Sequence, residues 1–466
     1  MKRVWQYRDS LLRLVALTAA GLANMDHAEA ASGVFRLSTF SADVTPPIGH
    51  ALLAGACPPA RRVVDPLFAH GFVLTGAGKP IVYVAIDWCE IRNDAYDRWR
   101  EVLAESASTT RERVMVTALH QHDTPLADLE AQRLLDAQGL QGALCDPDYH
   151  EAMVQRVAAA LRAGMKSPRT VTHFGTGQAA VEQVASNRRY VRPDGTVTFA
   201  RGSATADATI RAAPVGTIDP MLKTLSFFDG DKPVVVLSCY ATHPMSFYRT
   251  GCVSNDFVGI ARAVRQSADA SVLQIYVSGC SGDVTAGKWN AGEPTNRLKL
   301  AGRIHAAMVQ AFESTERHPI EQVDYRVESL MLKPRDTGNF SVEALEKKLA
   351  ADSAKVFDRC LAAMGLSWHK RCAAGQPIDV PVLDLGRAKF VVMPGEAFVG
   401  FQLAAQQLRP DAFVMVAGYG ESAPGYIPTG AATRDGFIEA HTWCWVQHDA
   451  HEAMIDVLKR ALHASR

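Results

Sequence analysis

The sequence predicts an α/β fold, and three observations predict it. Short, β-branched apolar runs alternate with amphipathic stretches whose apolar residues recur at three- and four-residue intervals. The composition, 48% hydrophobic and 21% charged over 466 residues, is that of a globular chain with ample core material. No internal repeat or low-complexity segment breaks the alternation.

Taken in order, residues 80–87 (PIVYVAID), 113–118, 232–240, 271–277, 388–393 and 412–417 are apolar, short and bounded by turn residues, so they are predicted as buried strands. Helices are predicted over 148–165, 256–267, 296–314, 341–364, 397–408 and 446–463. Asp148, Asp256, Asn296 and Ser341 suit N-caps, because their side-chain oxygens can accept from the free N–H groups of a first turn. Residues 189–213, rich in Gly, Pro, Thr and Arg, read as a surface excursion, and 333–376 as a helical insertion between strands. One elaborated domain over 34–464 fits this pattern better than several in series.

The first thirty residues differ from the rest. Lys2, Arg3, Arg8 and Arg13 precede an apolar run at 14–23, and Ala28-Glu29-Ala30 offers the small residues of a cleavage site. This pattern predicts a secretory signal peptide over 1–30 and export to the periplasm or the medium. The run falls short of the roughly 20 apolar residues needed to span a bilayer, so no membrane anchor is expected after cleavage. The 49 Lys+Arg balance 49 Asp+Glu, which excludes a nucleic-acid or anionic-membrane partner held by bulk charge. There are nine Cys and no C-x-x-C, so neither a zinc ribbon nor a thioredoxin-like motif is supported. In an oxidising compartment Cys360 and Cys372 can close a short loop, while Cys239 and Cys280 read equally well as buried thiols.

Several motifs drop out early. Gly175-Thr176-Gly177-Gln178-Ala179-Ala180 mimics a dinucleotide fingerprint, yet little helix follows it and no partner strand with a terminal acid does. There is no G-x-S-x-G elbow, Walker loop or H-E-x-x-H, and His448 and His451 read as a solvated helical face.

What remains is a set of polar residues where strands end. His120 and His122 follow strand 113–118, and His243 follows strand 232–240, where open α/β sheets build their sites. An extended His-x-His places both rings on one face, to share a metal or to divide metal binding from proton transfer; a plain structural pair is the alternative. Pro394-Gly395-Glu396 delivers a carboxylate at a predicted helix start, either as a cap or as a ligand beside the histidines. After strand 412–417, a Gly- and Pro-rich loop presents Tyr419 and Tyr426, whose hydroxyls can serve as ligand, acid or hydrogen-bond donor. Between these lies Ser278-Gly279-Cys280-Ser281-Gly282-Asp283-Val284-Thr285, either a tight turn or a close approach to a ligand by a loop carrying an acceptor and a hydroxyl.

The ordered series HxH-x-x-Pro, Asn-Arg, Ile-Asp-Pro, Tyr-Ala-Thr-His-Pro, Ser-Asn-Asp-x-x-Gly, Ser-Gly-Asp-Val-Thr, Pro-Gly-Glu and Gly-Tyr-Ile-Pro-Thr resembles the neutral/alkaline (non-lysosomal) ceramidase family, zinc amidohydrolases. Ser41-Ala42-Asp43-Val44-Thr45-Pro46-Pro47-Ile48-Gly49 resembles that family's opening segment. The resemblance spans about 40–439. It implies a catalytic domain with a mixed β-sheet core flanked by helices and bearing loop and helical insertions. It also implies zinc (Zn2+) held by His120, His243, Glu396 and Tyr426, with His122 relaying protons and Arg188 stabilising an oxyanion or orienting substrate. Thr285 then stands where the family has a serine lining the site.

The resemblance carries departures. The family's Gly-Asp-Val-Ser-Pro reads Gly282-Asp283-Val284-Thr285-Ala286, and its His-Thr-His-Ser reads His120-Gln121-His122-Asp123. Phe437 and Ile438 occupy the region where true ceramidases place a second, oxyanion-donating tyrosine, and the C-terminal immunoglobulin-like domain of full ceramidases is not expected. The expected function is therefore exported, zinc-dependent hydrolysis of an amide (N-acyl) or related acyl bond in a small-molecule substrate that can be a lipid, with ceramide itself less favoured than the reaction class. The alternatives are a non-catalytic ligand-binding or envelope protein that keeps the fold, and a metal-independent hydrolase using Thr285 or Ser281 as nucleophile.

Overall fold

Three mixed sheets each carry one parallel pair at an edge, and those pairs set the architecture. Ile81–Ile86 pairs in parallel with Val114–Ala118, Lys232–Tyr240 with Leu273–Ser278, and Ala388–Val392 with Phe413–Ala417. A parallel pair needs a crossover, supplied by the helices Asn93–Ala107, Asp256–Ala268 and Val399–Leu408. The remaining strands of each sheet are antiparallel: Phe68–Thr75 and Arg36–Asp43 extend the first, Met221–Asp229 and His173–Ala180 the second, Ile378–Asp384 and Asp324–Leu330 the third. The computed structural model describes residues 34–463, and the predicted signal segment at 1–30 lies outside them.

The inner strands are buried on both faces, which is why Ile81–Ile86 reads as a continuous apolar run rather than an alternation. Aromatic side chains join the sheets. Phe72 meets Phe227 at 5.7 Å between ring centres, and Tyr83 stands edge-on to Phe390 at 4.9 Å. The carboxyl ends of the parallel pairs are also tied to one another. Ala118 N–H donates to the Tyr419 carbonyl (2.9 Å), Gly418 N–H to the Ser278 carbonyl (2.9 Å), and Ser278 Oγ to the Leu119 carbonyl (2.8 Å). Loops from all three sheets thus start from one junction.

All six predicted strands are present with ends shifted by at most two residues. The predicted helix at 341–364 is instead two helices, Val342–Ala350 and Val356–Ala373. Ala351 adopts an extended conformation, and Arg359 Nε caps the Leu349 carbonyl at 2.7 Å, so the first helix ends satisfied. Of the four predicted N-caps only Ser341 stands at the cap position, accepting from Ala344 N–H; Asp146 caps Pro147–Gly164, while Asp148, Asp256 and Asn296 lie inside their helices.

The Gly175-x-Gly177 motif sits within strand His173–Ala180, where a Cβ on Gly177 would come within 2.0 Å of the Ala311 carbonyl. Its glycine lets helix Asn296–Glu313 pack closely on the sheet. Cys360 and Cys372 lie on one helix twelve residues apart, about 18 Å and far beyond disulfide reach. All nine cysteines are free thiols. No helix among the described residues is long and apolar enough to cross a membrane.

Candidate metal centre

The first parallel pair delivers His120 and His122. Leu119 N–H bonds the Ile86 carbonyl and His120 N–H the Trp88 carbonyl, so the segment follows the neighbouring strand before it turns. His120 adopts a left-handed conformation (φ 71°), which corrects the expectation of an extended His-x-His. The two rings stand edge-on with centres 5.1 Å apart, and it is this turn, rather than strand pleating, that brings them together. The turn is held from below by Asp87, which accepts from Gln121 Nε2 (3.2 Å) and pairs with Arg262 through both carboxylate oxygens (2.7 and 2.6 Å).

The second sheet delivers His243 and the third delivers Glu396. Glu396 opens a two-residue strand that pairs in parallel with Tyr426-Ile427, Glu396 opposite Tyr426. In register, both side chains lie on the same face of the ladder. The outcome is convergence of three strand ends. His243 Nε2 lies 2.9 Å and His120 Nε2 3.2 Å from Glu396 Oε2. One donor atom from each residue lies within 4.8 Å of the others, and the three side chains are 2% exposed or less.

The remaining imidazole nitrogens are spoken for by acceptors. His120 Nδ1 faces the Cys89 carbonyl at 3.1 Å, and His243 Nδ1 the Ser281 carbonyl at 2.6 Å. A carbonyl only accepts, so each Nδ1 carries the proton and each Nε2 presents its lone pair to the carboxylate. Two lone pairs and a carboxylate oxygen at hydrogen-bond distance repel unless a cation lies among them. In the protein alone that cation is a proton: burial opposes charge on His120, but Glu396 outweighs it and holds the ring's pKa up. Burial pushes Glu396 up, yet the facing His120 and His243 bring it well below the usual carboxylate range. His243 is pushed down to about 3 by burial and then by Arg188, and stays neutral. A divalent ion fits this donor set. Tetrahedral zinc with N and O ligands at about 2.0–2.2 Å requires donors about 3.4 Å apart.

Tyr426 stands beside this group. Its hydroxyl accepts from Arg188 Nη1 at 2.9 Å, and its ring lies 6.1 Å from that of His243. Arg188 is fixed through its backbone, with its N–H donating to the Asp283 carbonyl at 2.7 Å, while Asp283 Oδ2 holds Asn187 Nδ2 at 2.8 Å. Arg188 Nε and Nη2 are buried with no partner among the described residues. Both ring nitrogens of His122 are likewise buried and unpartnered, and burial followed by the His120 and His243 rings depresses its pKa well below that of a free imidazole. Unspent donors on Arg188 and an unspent base on His122 therefore border the carboxylate and its histidines.

No protein-family model and no curated protein sequence matches the chain. Among solved structures it is similar to a ceramidase complexed with C2, with a TM-score of 0.66 and 14% identity over 91% of this chain and 75% of that one. It is also similar to neutral ceramidase from Pseudomonas aeruginosa, with a TM-score of 0.64 and 14% identity over 92% and 74% of the two chains. The chain has the ceramidase fold.

Within that fold, the Thr285 hydroxyl is spent on the backbone. Its hydroxyl donates to the Gly202 carbonyl at 2.8 Å and accepts from Gly287 N–H at 3.2 Å, and Thr285 pairs with Ser186 in a two-stranded ladder. Ser281 Oγ bonds the Tyr419 hydroxyl at 2.8 Å. Tyr419, one of the two loop tyrosines, is fully buried and stacks on the His120 ring at 4.5 Å, so it supports a ligand from behind.

Sequence reasoning missed several neighbours. Cys89 supplies the carbonyl that orients His120, Tyr248 packs edge-on to His122 at 4.8 Å, and His441 stands 5.8 Å from Tyr426. Only the position of Cys89, two residues past a predicted strand, gave any signal. His448, set aside above, pairs with Glu439 at 2.7 Å on the surface.

Proposed function

We propose that this protein is an exported, zinc-dependent hydrolase of ceramidase type that cleaves an amide (N-acyl) or related acyl bond, with the zinc held by His120, His243, Glu396 and Tyr426. One observation carries the reading: two imidazoles locked by backbone carbonyls aim both Nε2 lone pairs at one buried carboxylate. Neither packing nor solubility calls for that arrangement, and a bound cation does.

Zinc at such a site supplies a Lewis acid that brings the pKa of water toward neutrality. The chain's own residues do the rest. His122, neutral and unpartnered, takes a proton from the attacking water and returns it to the leaving group. Arg188 turns its free Nε and Nη2 toward the charge that develops on the carbonyl oxygen, held in place by Asp283, Asn187 and Tyr426. Burial of the group keeps the dielectric low, so each of these charge contacts counts for more than it would in water.

Metal analysis of the purified protein tests this reading. We expect one zinc per chain and hydrolysis across a panel of N-acyl lipids, N-acyl amino acids and acyl sugars, with metal and activity lost together in His243→Ala and Glu396→Ala. Activity that survives chelation overturns the metal mechanism. Full metal binding with no hydrolysis across the panel overturns the enzyme reading in favour of a binding role.

A further inference from the structure

A cavity of about 460 Å3 opens between the turn at 335–340, helix Val356–Ala373 and the segment 439–445, and His441 links its lining to Tyr426. That volume falls in the range of roughly 300–1,000 Å3 typical of small-molecule sites. Its lining is mixed, with Phe340, Leu361 and Trp445 providing apolar surface and Lys348 and Asp358 charge.

His441 belongs to both regions. It lines the cavity, stacks on Phe437 at 3.8 Å and stands 5.8 Å from the Tyr426 ring. Helix Phe437–Ala440, which occupies the place where the resemblance expects a second tyrosine, leads directly into it. His441 Nδ1 lies 3.0 Å from the Phe437 carbonyl and so carries the proton, which leaves the lone pair on Nε2. Nε2 has no partner among the described residues and is not one of the buried nitrogens, so this acceptor is open to a ligand.

We infer that the cavity receives the amine-side arm of an N-acyl substrate, with His441 Nε2 accepting a hydrogen bond from the N–H beside the scissile carbonyl. The inference rests on the hydrolase reading above and adds the substrate class and its orientation. Arg188 offers unspent donors and His441 an unspent acceptor, so the carbonyl oxygen falls to Arg188 and the N–H to His441. The mixed lining suits an amine with an apolar body and an ionic or hydroxyl group better than a bare alkyl amine. An ester has no N–H, so His441 becomes the residue that favours amides over esters.

The test uses N-lauroylphenylalanine and its ester isostere, O-lauroyl phenyllactate, with the holoenzyme. His441→Phe keeps the stack on Phe437 and removes the acceptor, and it is expected to lower kcat/KM for the amide about fivefold relative to the ester, the worth of one neutral hydrogen bond. The loss should appear mainly in KM, and His441→Gln, which restores an acceptor, should recover most of it. Thr442→Trp, placed at an exposed position on the cavity rim, should raise KM for both compounds. Equal losses on both compounds in His441→Phe, or an unchanged KM in Thr442→Trp, overturn the inference. Equilibrium binding of the same pair to Glu396→Gln, with and without His441→Phe, separates the two readings. An amide preference in binding that His441→Phe abolishes, when the wild-type protein hydrolyses neither compound, upholds the subsite and sinks the hydrolase.

Discussion

Glu396 Oε2 lies 2.9 Å from His243 Nε2 and 3.2 Å from His120 Nε2, so one carboxylate oxygen faces two imidazole lone pairs from different sheets. Because each ring is fixed by a backbone carbonyl, neither imidazole can rotate to present Nδ1 instead.

The charge on Glu396, and not its shape, should therefore govern metal retention. Glu396→Gln preserves volume and hydrogen bonding but removes the charge. Metal affinity is expected to fall by at least about 100-fold, more than loss of an outer hydrogen bond costs. Competition with a chromogenic chelator measures it, and an unchanged affinity would mean that the carboxylate is not a ligand.

Arg188 offers a different separation. Its Nη1 is spent on Tyr426 while Nε and Nη2 are free, so Arg188→Lys keeps a positive charge but cannot fill both roles at once. The expected result is a fall in kcat of about 10²- to 10³-fold with metal content intact, the usual magnitude for loss of an oxyanion donor. A change confined to KM would assign Arg188 to ground-state binding instead.

How far the site was legible follows from how it is built. His120, His243 and Glu396 each lie just past a short apolar run, and the parallel edge pairs make those strand ends converge. The pairing of Glu396 with Tyr426 was not legible, because a two-residue ladder leaves no periodicity. The antiparallel strands Arg36–Asp43 and Met221–Asp229 were missed because Ser38, Thr39, Lys223 and Thr224 dilute their apolar character, although Ser38 and Thr224 are buried. His441 could not be found at all, since its role comes from the short helix before it and from a cavity lined by segments about a hundred residues away in the chain.

The cysteines give a prediction free of any catalytic assumption. Cys252 is the partly exposed thiol whose pKa is lowered, its small burial cost being outweighed by contacts with Thr250, Arg61 and Arg62. Cys57, Cys145, Cys239 and Cys280, by contrast, are raised chiefly by burial. Titration of unreduced protein with a chromogenic disulfide should show one fast thiol under native conditions, lost in Cys252→Ser, and nine per chain in denaturant. Seven or fewer in denaturant would reveal a disulfide that this structure lacks.

The acid limit of stability should be set in part by the pair beneath the His-x-His turn. Asp87 is fully buried and its burial favours the neutral acid, but Arg262, bonded through both carboxylate oxygens, more than offsets this and leaves the pKa lowered. A lowered folded-state pKa means that the contribution is fully present above the unfolded value of about 4, and is lost as pH falls below it through the folded value. Wild-type stability should thus decline on acidification below about pH 4, and Asp87→Asn should flatten that part of the slope. At neutral pH the same variant strands the buried Arg262 and is expected to cost about 3–5 kcal/mol, read from denaturant midpoints at constant m-value. Because Asp87 also accepts from Gln121, between the two histidines, metal affinity should weaken alongside stability. If stability drops while metal affinity holds, the turn is shaped by its backbone bonds to Ile86 and Trp88 alone.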